Sequence, residues 1–165
     1  MKTQKLLRLV SEMLKNSKKS DRELAGILGV SQPTVSRTRA RIEKEYIKTY
    51  TIIPDFQKLG YQIMAFTLAK MKTFSETATA EKMIKKTKDW VAKRPNVIFA
   101  SDGEGFGKDL VIVSFHKNYS AYSEFMRAFS MDLGTSLDNF ESFLVSIGSG
   151  YTLREFDLKY LADDI

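Results

Sequence analysis

The sequence predicts an α+β protein in which a three-helix unit with a wing strand precedes a β-α-β-β-α-β domain. Apolar residues recur at helical spacing through residues 3–45, whereas residues 61–148 alternate between β-rich apolar runs and two helical runs. The charge follows the same division. Residues 1–50 hold 12 Lys and Arg against 5 Asp and Glu, a net charge of +7. Because the whole chain carries +6, residues 51–165 carry −1.

The N-terminal unit contains the start and stop signals of two helices joined by a tight turn. A first helix is predicted over residues 3–15, where leucines, valine and methionine recur at helical spacing. Ser20 and Glu23 form an S-x-x-E capping box at the start of the second helix, and Gly29 is placed to end it. Ser31 caps the third helix, and a proline follows in its first turn. This arrangement predicts a helix-turn-helix.

A strand is predicted directly after the third helix. The run "YIKTYTIIP" at residues 46–54 is dense in β-branched and aromatic residues, and its proline ends the strand. A three-helix unit followed by a strand is the winged form of the helix-turn-helix. The domain boundaries follow from this order: a winged helix-turn-helix DNA-binding domain at 1–53, a connector at 54–60 and a second domain at 61–165.

The second domain follows the ferredoxin-like order of strands and helices. Strands are predicted at 61–71, 96–101, 109–115 and 139–148, and helices at 76–93 and 120–131. The final segment, "TLREFDLKYLADDI", is predicted to form a short helix. Five phenylalanines are expected in the core or at a dimer interface: Phe115, Phe125, Phe129, Phe140 and Phe143.

The third helix is predicted to present a polar, basic face to DNA. Val35, Thr38 and Ile42 face inward, which turns the remaining positions outward. The candidate base-reading residues are Gln32, Thr34, Ser36 and Arg37, and the candidate phosphate-binding residues are Arg39, Arg41, Lys44, Lys18, Lys19 and Lys48. A basic face that is merely solvated is the alternative. The confinement of the positive charge to this one unit favours nucleic-acid binding.

The composition excludes several kinds of site. The chain has no cysteine and one histidine, so disulfides and thiolate metal sites are excluded and zinc has too few ligands. Only carboxylates are left to hold a cation. The sequence shows no signal-peptide core and no apolar run of membrane-spanning length. We therefore expect a cytoplasmic, non-enzymatic protein with no membrane partner, no catalytic residues, no metal and no cofactor.

The glycine-rich segment "GEGFGKD" at residues 103–109 has two interpretations. A dinucleotide fingerprint is excluded, because it requires a following helix and a strand follows here. The segment is therefore either a hairpin whose glycines allow positive φ or the lining of an effector pocket at a subunit interface. In the second case the candidate effector-binding residues are Gly103, Gly105, Gly107 and Asp109. His116, at the end of the following strand, is predicted to lie on the surface.

Three motifs along the chain carry a family resemblance. They are "ELAGILGVSQPTVSR", then "RIEKEYIKTYTIIPDFQKLGY", then a β-α-β-β-α-β domain that starts with "AFTLAKM". Together they resemble the Lrp/AsnC family of prokaryotic regulators, the feast/famine proteins. The positions that follow the family's order are Leu24-Ala25, Val30-Ser31, Thr34-Val35, Ile42-Glu43, Ile47, Tyr50, Pro54 and Leu59-Gly60. The join of "KLGY" to a ferredoxin-like domain is the most specific of these features, because many regulator families share the helix-turn-helix.

The resemblance implies a sequence-specific transcriptional regulator. Its partners would be double-stranded DNA, other copies of the chain in a homodimer or higher homo-oligomer, and a small-molecule effector such as an amino acid. The chain departs from the family at Thr38-Arg39, where an Arg-aliphatic pair is usual, at Tyr46, where glycine is usual, and in a longer "SDGEGFGKD" loop. Arg39 is expected to lay its stem over the core and present its guanidinium to a phosphate.

Two other functions fit the same two-domain plan. The sirohaem decarboxylases are similar to this family and act on tetrapyrroles, whose carboxylates call for cationic side chains. Residues 51–165 offer few histidines and arginines for that purpose: His116, Arg94, Arg127 and Arg154. The other alternative is a ligand sensor without DNA binding, and the basic N-terminal unit argues against it.

Overall fold

The chain folds into two units that differ in their secondary structure. The computed structural model describes residues 2–73 and 75–165. One unit combines Met1–Ile53 with Arg154–Ile165 and is helical, and the other comprises Pro54–Leu153 and contains a four-stranded sheet. The predicted α+β architecture is therefore confirmed. No helix in the described ranges is long and apolar enough to cross a membrane.

The helical unit is built from α1 (Lys2–Lys15), α2 (Asp21–Leu28) and α3 (Gln32–Glu45). Each helix is amphipathic, and the three apolar faces meet in one core. The buried members are Leu6, Leu9 and Met13 of α1, Leu24 and Ala25 of α2, and Val35 and Ile42 of α3. Because each helix buries one face against this core, the opposite faces are left to solvent.

The C-terminal tail belongs to the helical unit. Its 3-10 helix, Leu158–Asp163, packs along α1. The Ser11 hydroxyl donates to the Ala162 carbonyl at 2.6 Å, and Ala162 is 4% exposed. Lys15 pairs with Asp163 at 3.3 Å. The predicted short helix is thus present, but it lies with residues 1–53 rather than with the sheet, to which the sequence-based boundaries had assigned it.

The second unit is an antiparallel sheet with two helices on one face. Its elements are β1 (Ile63–Met71), α4 (Thr77–Ala92), β2 (Val97–Gly105), β3 (Lys108–His116), α5 (Tyr119–Leu133), a 3-10 turn (Gly134–Ser136) and β4 (Leu137–Ser146). The strand order is β2-β3-β1-β4. Trp90 of α4 and Phe129 of α5 pack in one cluster with Ala69 and Ile112 of the sheet. The predicted β-α-β-β-α-β order is confirmed.

The face of the sheet away from α4 and α5 is apolar and open to solvent. The strand register places Phe99, Val113, Phe66 and Phe143 in one row across the four strands. Phe99 is 53% exposed and Phe143 is 71% exposed. We call this row the open sheet face.

The predicted wing strand is absent from the described part of the chain. Residues 47–55, which follow α3, have no regular structure, and Ile52 is 75% exposed. A strand needs a partner for its amide and carbonyl groups, and the helices of this unit present no sheet edge. The prediction from β-rich composition was wrong because composition does not supply that partner.

His116 is buried, so its predicted surface position was also wrong. Its side chain is on the helix-facing side of β3 together with Ile112 and Ser114, and the residue is 3% exposed. Nε2 lies 2.8 Å from the Ser114 hydroxyl, and the ring packs edge-on against Tyr122 and Phe125. Burial lowers the pKa of His116 below its usual value.

The buried histidine makes stability fall in mild acid. Below about pH 6.5 the unfolded chain protonates this residue, whereas the folded chain, with its lowered pKa, does not. Stability therefore decreases as the pH falls through the unfolded pKa. Between about pH 7.5 and about pH 5.5 the melting temperature of the wild type should drop more than that of His116→Gln. Equal drops in the two proteins would contradict this assignment.

Candidate nucleic-acid interface

The turn before α3 fixes where that helix begins. The predicted capping box is confirmed: the Ser20 amide donates to Glu23 Oε2 at 2.6 Å, and the Glu23 amide donates to Ser20 Oγ at 3.3 Å. Gly29 ends α2 with φ 64°, in the left-handed region that glycine adopts without strain. Ser31 occupies the N-cap of α3, but its hydroxyl pairs with the Thr34 hydroxyl at 2.8 Å instead of capping an amide.

The outward face of α3 carries the four residues predicted to reach base edges. Val35 and Ile42 are 1% and 0% exposed, so the opposite side of the helix faces solvent. All four candidates are exposed: Gln32, Thr34, Ser36 and Arg37. Arg37 Nε donates to the Pro33 carbonyl at 3.2 Å, which engages one of the five guanidinium donors.

The lysines and arginines predicted to hold phosphates differ in their surroundings. Three are exposed and have no side-chain partner in the described part of the chain: Lys18, Lys44 and Lys48. Two others are already paired, Arg41 with Glu45 at 2.9 Å and Lys19 with Glu12 at 2.5 Å. The hydrogen bond from Lys19 lowers the pKa of Glu12. A phosphate would meet the first three directly, whereas it would compete with a carboxylate for the other two.

Arg39 is held inside the unit, which does not match the expected presentation of its guanidinium to solvent. Nη2 donates to the Lys19 carbonyl at 2.6 Å. Nε lies 3.0 Å from Asp21 Oδ1, an ion pair without hydrogen-bond geometry whose two atoms are shielded from solvent. The side chain therefore ties α3 to the start of α2. Its stem is half-buried as expected, but its head is engaged by the protein.

Two further cations near α3 were missed by the sequence analysis. Lys5 and Arg8 of α1 line the same surface groove as Arg37 and Arg41. Their spacing of three residues places them on one side of α1, so the pair was visible in the sequence. What the sequence did not show is that this side of α1 lies beside α3.

The glycine-rich segment forms a tight hairpin. Gly105 pairs with Lys108, and the two central residues, Phe106 and Gly107, have φ values of 53° and 68°. Positive φ at both central residues is the requirement of a type I′ turn. Gly103 lies within β2. The geometry is that of the hairpin interpretation.

The side chain of Asp109 contacts β1 and not these glycines. Its carboxylate accepts from Lys70 Nζ at 2.7 Å and from the Met71 amide at 2.8 Å. Burial alone would raise the pKa of Asp109, but these two donors outweigh it and lower the pKa. Asp109 also lines a groove beside α4, together with Thr87 and Val91.

Comparison with known proteins places the chain among regulators. No family model matches it. The chain is 30% identical to the HTH-type transcriptional regulator FL11 of Pyrococcus horikoshii over 121 residues, which cover 71% of this chain and 73% of FL11. The chain belongs to the Lrp/AsnC family of transcriptional regulators. Four other Pyrococcus regulators are 30–38% identical over 71–84 residues, and the chain spans about half of their length, 47–56%.

Several solved structures share the fold. PH0061 is 25% identical with a TM-score of 0.71, covering 93% of this chain and 95% of that chain. An AsnC family regulator from Agrobacterium tumefaciens is 19% identical with a TM-score of 0.72, covering 96% of both. The regulator NMB0573 of Neisseria meningitidis, solved as a complex with L-Met, is 15% identical with a TM-score of 0.72, covering 90% and 92%.

The contrast between Arg39 and Arg37 gives a test of this geometry. Arg39→Ala removes the partners of the Lys19 carbonyl and of Asp21, so we expect it to lower the free energy of unfolding by about 1–3 kcal/mol. Arg37→Ala, in the same helix but exposed, should change it by less than about 0.5 kcal/mol. Urea denaturation of the two variants measures both. A loss of stability on Arg37→Ala that equals the loss on Arg39→Ala would contradict the assignment.

Proposed function

We propose that the chain is a sequence-specific DNA-binding transcriptional regulator in which α3 enters the major groove. The observation that carries this proposal is the outward face of α3, where polar and basic side chains lie opposite the buried Val35 and Ile42. Membership of the Lrp/AsnC family supports it. The positive charge of the unit supplies the attraction to phosphates that such binding needs.

Base contacts and phosphate contacts are assigned to different residues in this proposal. Gln32 and Arg37 carry an amide and a guanidinium, the groups that pair with adenine and guanine edges in the major groove. Thr34 and Ser36 supply hydroxyls beside them. The exposed Lys18, Lys44 and Lys48 hold phosphates, because a lysine is a mobile point charge without a fixed bonding plane. Specificity should therefore depend on the first group and affinity on the second.

Substitution of one residue from each group separates the two roles. Arg37→Ala should lose about 1–3 kcal/mol on the selected duplex and relax the preference at particular base pairs. Lys48→Ala should weaken selected and random duplexes alike and reduce the salt slope by about one. Selection from random duplex DNA followed by salt titration measures both effects. If Arg37→Ala weakens selected and random DNA equally, Arg37 does not read bases.

We propose that two copies pair through the open sheet face. The row of Phe99, Val113, Phe66 and Phe143 leaves apolar surface in water, and an antiparallel sheet packed on one side only is stabilised by covering the other. A dimer also presents two recognition helices, which matches half-sites about one helical turn apart. Dimers that pair in this way are free to associate further into higher homo-oligomers.

A charge on the open sheet face should prevent dimerisation. Phe143→Glu places a carboxylate where an apolar partner is required, and because Phe143 is 71% exposed in the single chain the fold should persist. Sedimentation should show the wild type as a dimer or larger and the variant as a monomer with weaker DNA binding. Ser146→Glu, on the same strand near its end, is the matched control. An unchanged assembly in Phe143→Glu would exclude this face.

We also propose that an amino acid modulates the regulator. The support is the L-Met complex of NMB0573, a protein of the same fold, and the carboxylate of Asp109, which lines a groove and could exchange Lys70 for a ligand ammonium group. Gly103, Gly105 and Gly107 remain candidate contacts through their backbone amides.

A thermal-shift screen of the common amino acids tests the effector proposal. We expect at least one amino acid to raise the melting temperature of the wild type and of the control Asp89→Ala, whose aspartate is exposed on α4. The same amino acid should not raise the melting temperature of Asp109→Ala. A shift that persists in Asp109→Ala would move the site away from Asp109. If no amino acid shifts the wild type, the proposal is wrong.

A further inference from the structure

A surface groove between α1 and α3 has cations along both of its edges. Lys5 and Arg8 contribute from α1, and Arg37 and Arg41 contribute from α3. Lys5 and Arg8 are exposed and make no side-chain hydrogen bond or salt bridge within residues 2–73 and 75–165. Arg41 is paired with Glu45. The residues that line the groove, all of them described, include no aspartate or glutamate, so the groove is complementary to an anion.

The floor of the groove indicates what kind of anion fits. It is closed by Leu6, Leu9 and Val35, which are 5%, 1% and 1% exposed. Leu28 and Val30 also line the groove and are half-buried, so apolar surface is exposed between the charged edges. The charges stand along the two edges and not on the floor, so an extended polyanion that spans the edges fits the groove better than a small anion bound on its floor.

We infer that Lys5 and Arg8 of α1 form a second row of phosphate contacts for the DNA on which α3 docks. This inference rests on the proposed function, because it assumes that α3 and its Arg37 lie against a duplex. Packed helices are about 8–10 Å apart, which is close to the screening length of about 8 Å at physiological salt. The charges on the two helices therefore act on the same stretch of DNA backbone.

The loss of these two cations should make DNA affinity depend less steeply on salt concentration. Each phosphate that a cation neutralises adds about 0.9 to the slope of log affinity against log salt concentration. The double variant Lys5→Ala, Arg8→Ala should therefore lower the slope by about 1.8. From the same relation, its affinity at 0.15 M salt should be about 30-fold weaker, with selected and random duplexes affected alike. Both side chains point to solvent, so the melting temperature should not change.

The matched control removes two positive charges elsewhere. Lys82 and Lys86 are exposed on α4, in the other unit, and Lys82→Ala, Lys86→Ala changes the net charge of the chain by the same amount. It should keep the wild-type slope. The swap Lys5→Arg, Arg8→Lys keeps both charges and should also keep this slope, because the slope depends on the number of phosphates that cations neutralise.

The experiment is a salt titration of full-length wild type and variants against a selected duplex and a random one. A lower slope in the Lys5→Ala, Arg8→Ala variant alone supports the inference. If this variant keeps the wild-type slope and affinity, the inference is wrong and the groove faces away from DNA, even though the proposed function stands. If the wild type selects no duplex at all, the proposed function fails and the inference fails with it.

Discussion

The burial of Val35 and Ile42 is the constraint on which the proposed interface depends. The two residues are one heptad apart on α3 and are almost completely shielded in the core of the helical unit. Burying each contributes about 1.5–3 kcal/mol. A rotation of α3 by one residue would expose them and push charged neighbours inward. The outward direction of Gln32 and Arg37 is thus a consequence of core packing and needs no contact of its own.

Polar contacts on either side of this core hold further segments of the unit together. Arg39 ties α3 to the start of α2 through the Lys19 carbonyl, and the C-terminal tail is tied to α1 through Ser11. Residues 154–165 hold two basic and four acidic residues, so their return lowers the charge of the unit from +7 to +5. The acidic tail lies at Lys15, whereas Lys5 and Arg8 are left unpaired in the described chain next to α3.

Local signals in the sequence predicted most helices and strands. They did not predict contacts between residues that are distant in sequence. The capping box at Ser20, the glycine at 29 and the β-α-β-β-α-β order depend on neighbouring residues, and each is present. The wing strand, the burial of His116 and the engagement of Arg39 depend on partners distant in sequence or absent from a single chain. The return of the tail to α1 joins Ser11 to Ala162, 151 residues apart, which no local pattern encodes.

If α3 reads bases in the major groove, methylation of the selected duplex should be blocked there by the bound protein. Dimethyl sulfate modifies guanine N7 in the major groove and adenine N3 in the minor groove. Wild-type protein should protect guanine N7 positions in each half-site while adenine N3 stays reactive, and Arg37→Ala should lose protection at one guanine per half-site. Protection confined to adenine N3 would show that α3 does not read the major groove, and an unchanged pattern with Arg37→Ala would show that Arg37 does not contact guanine.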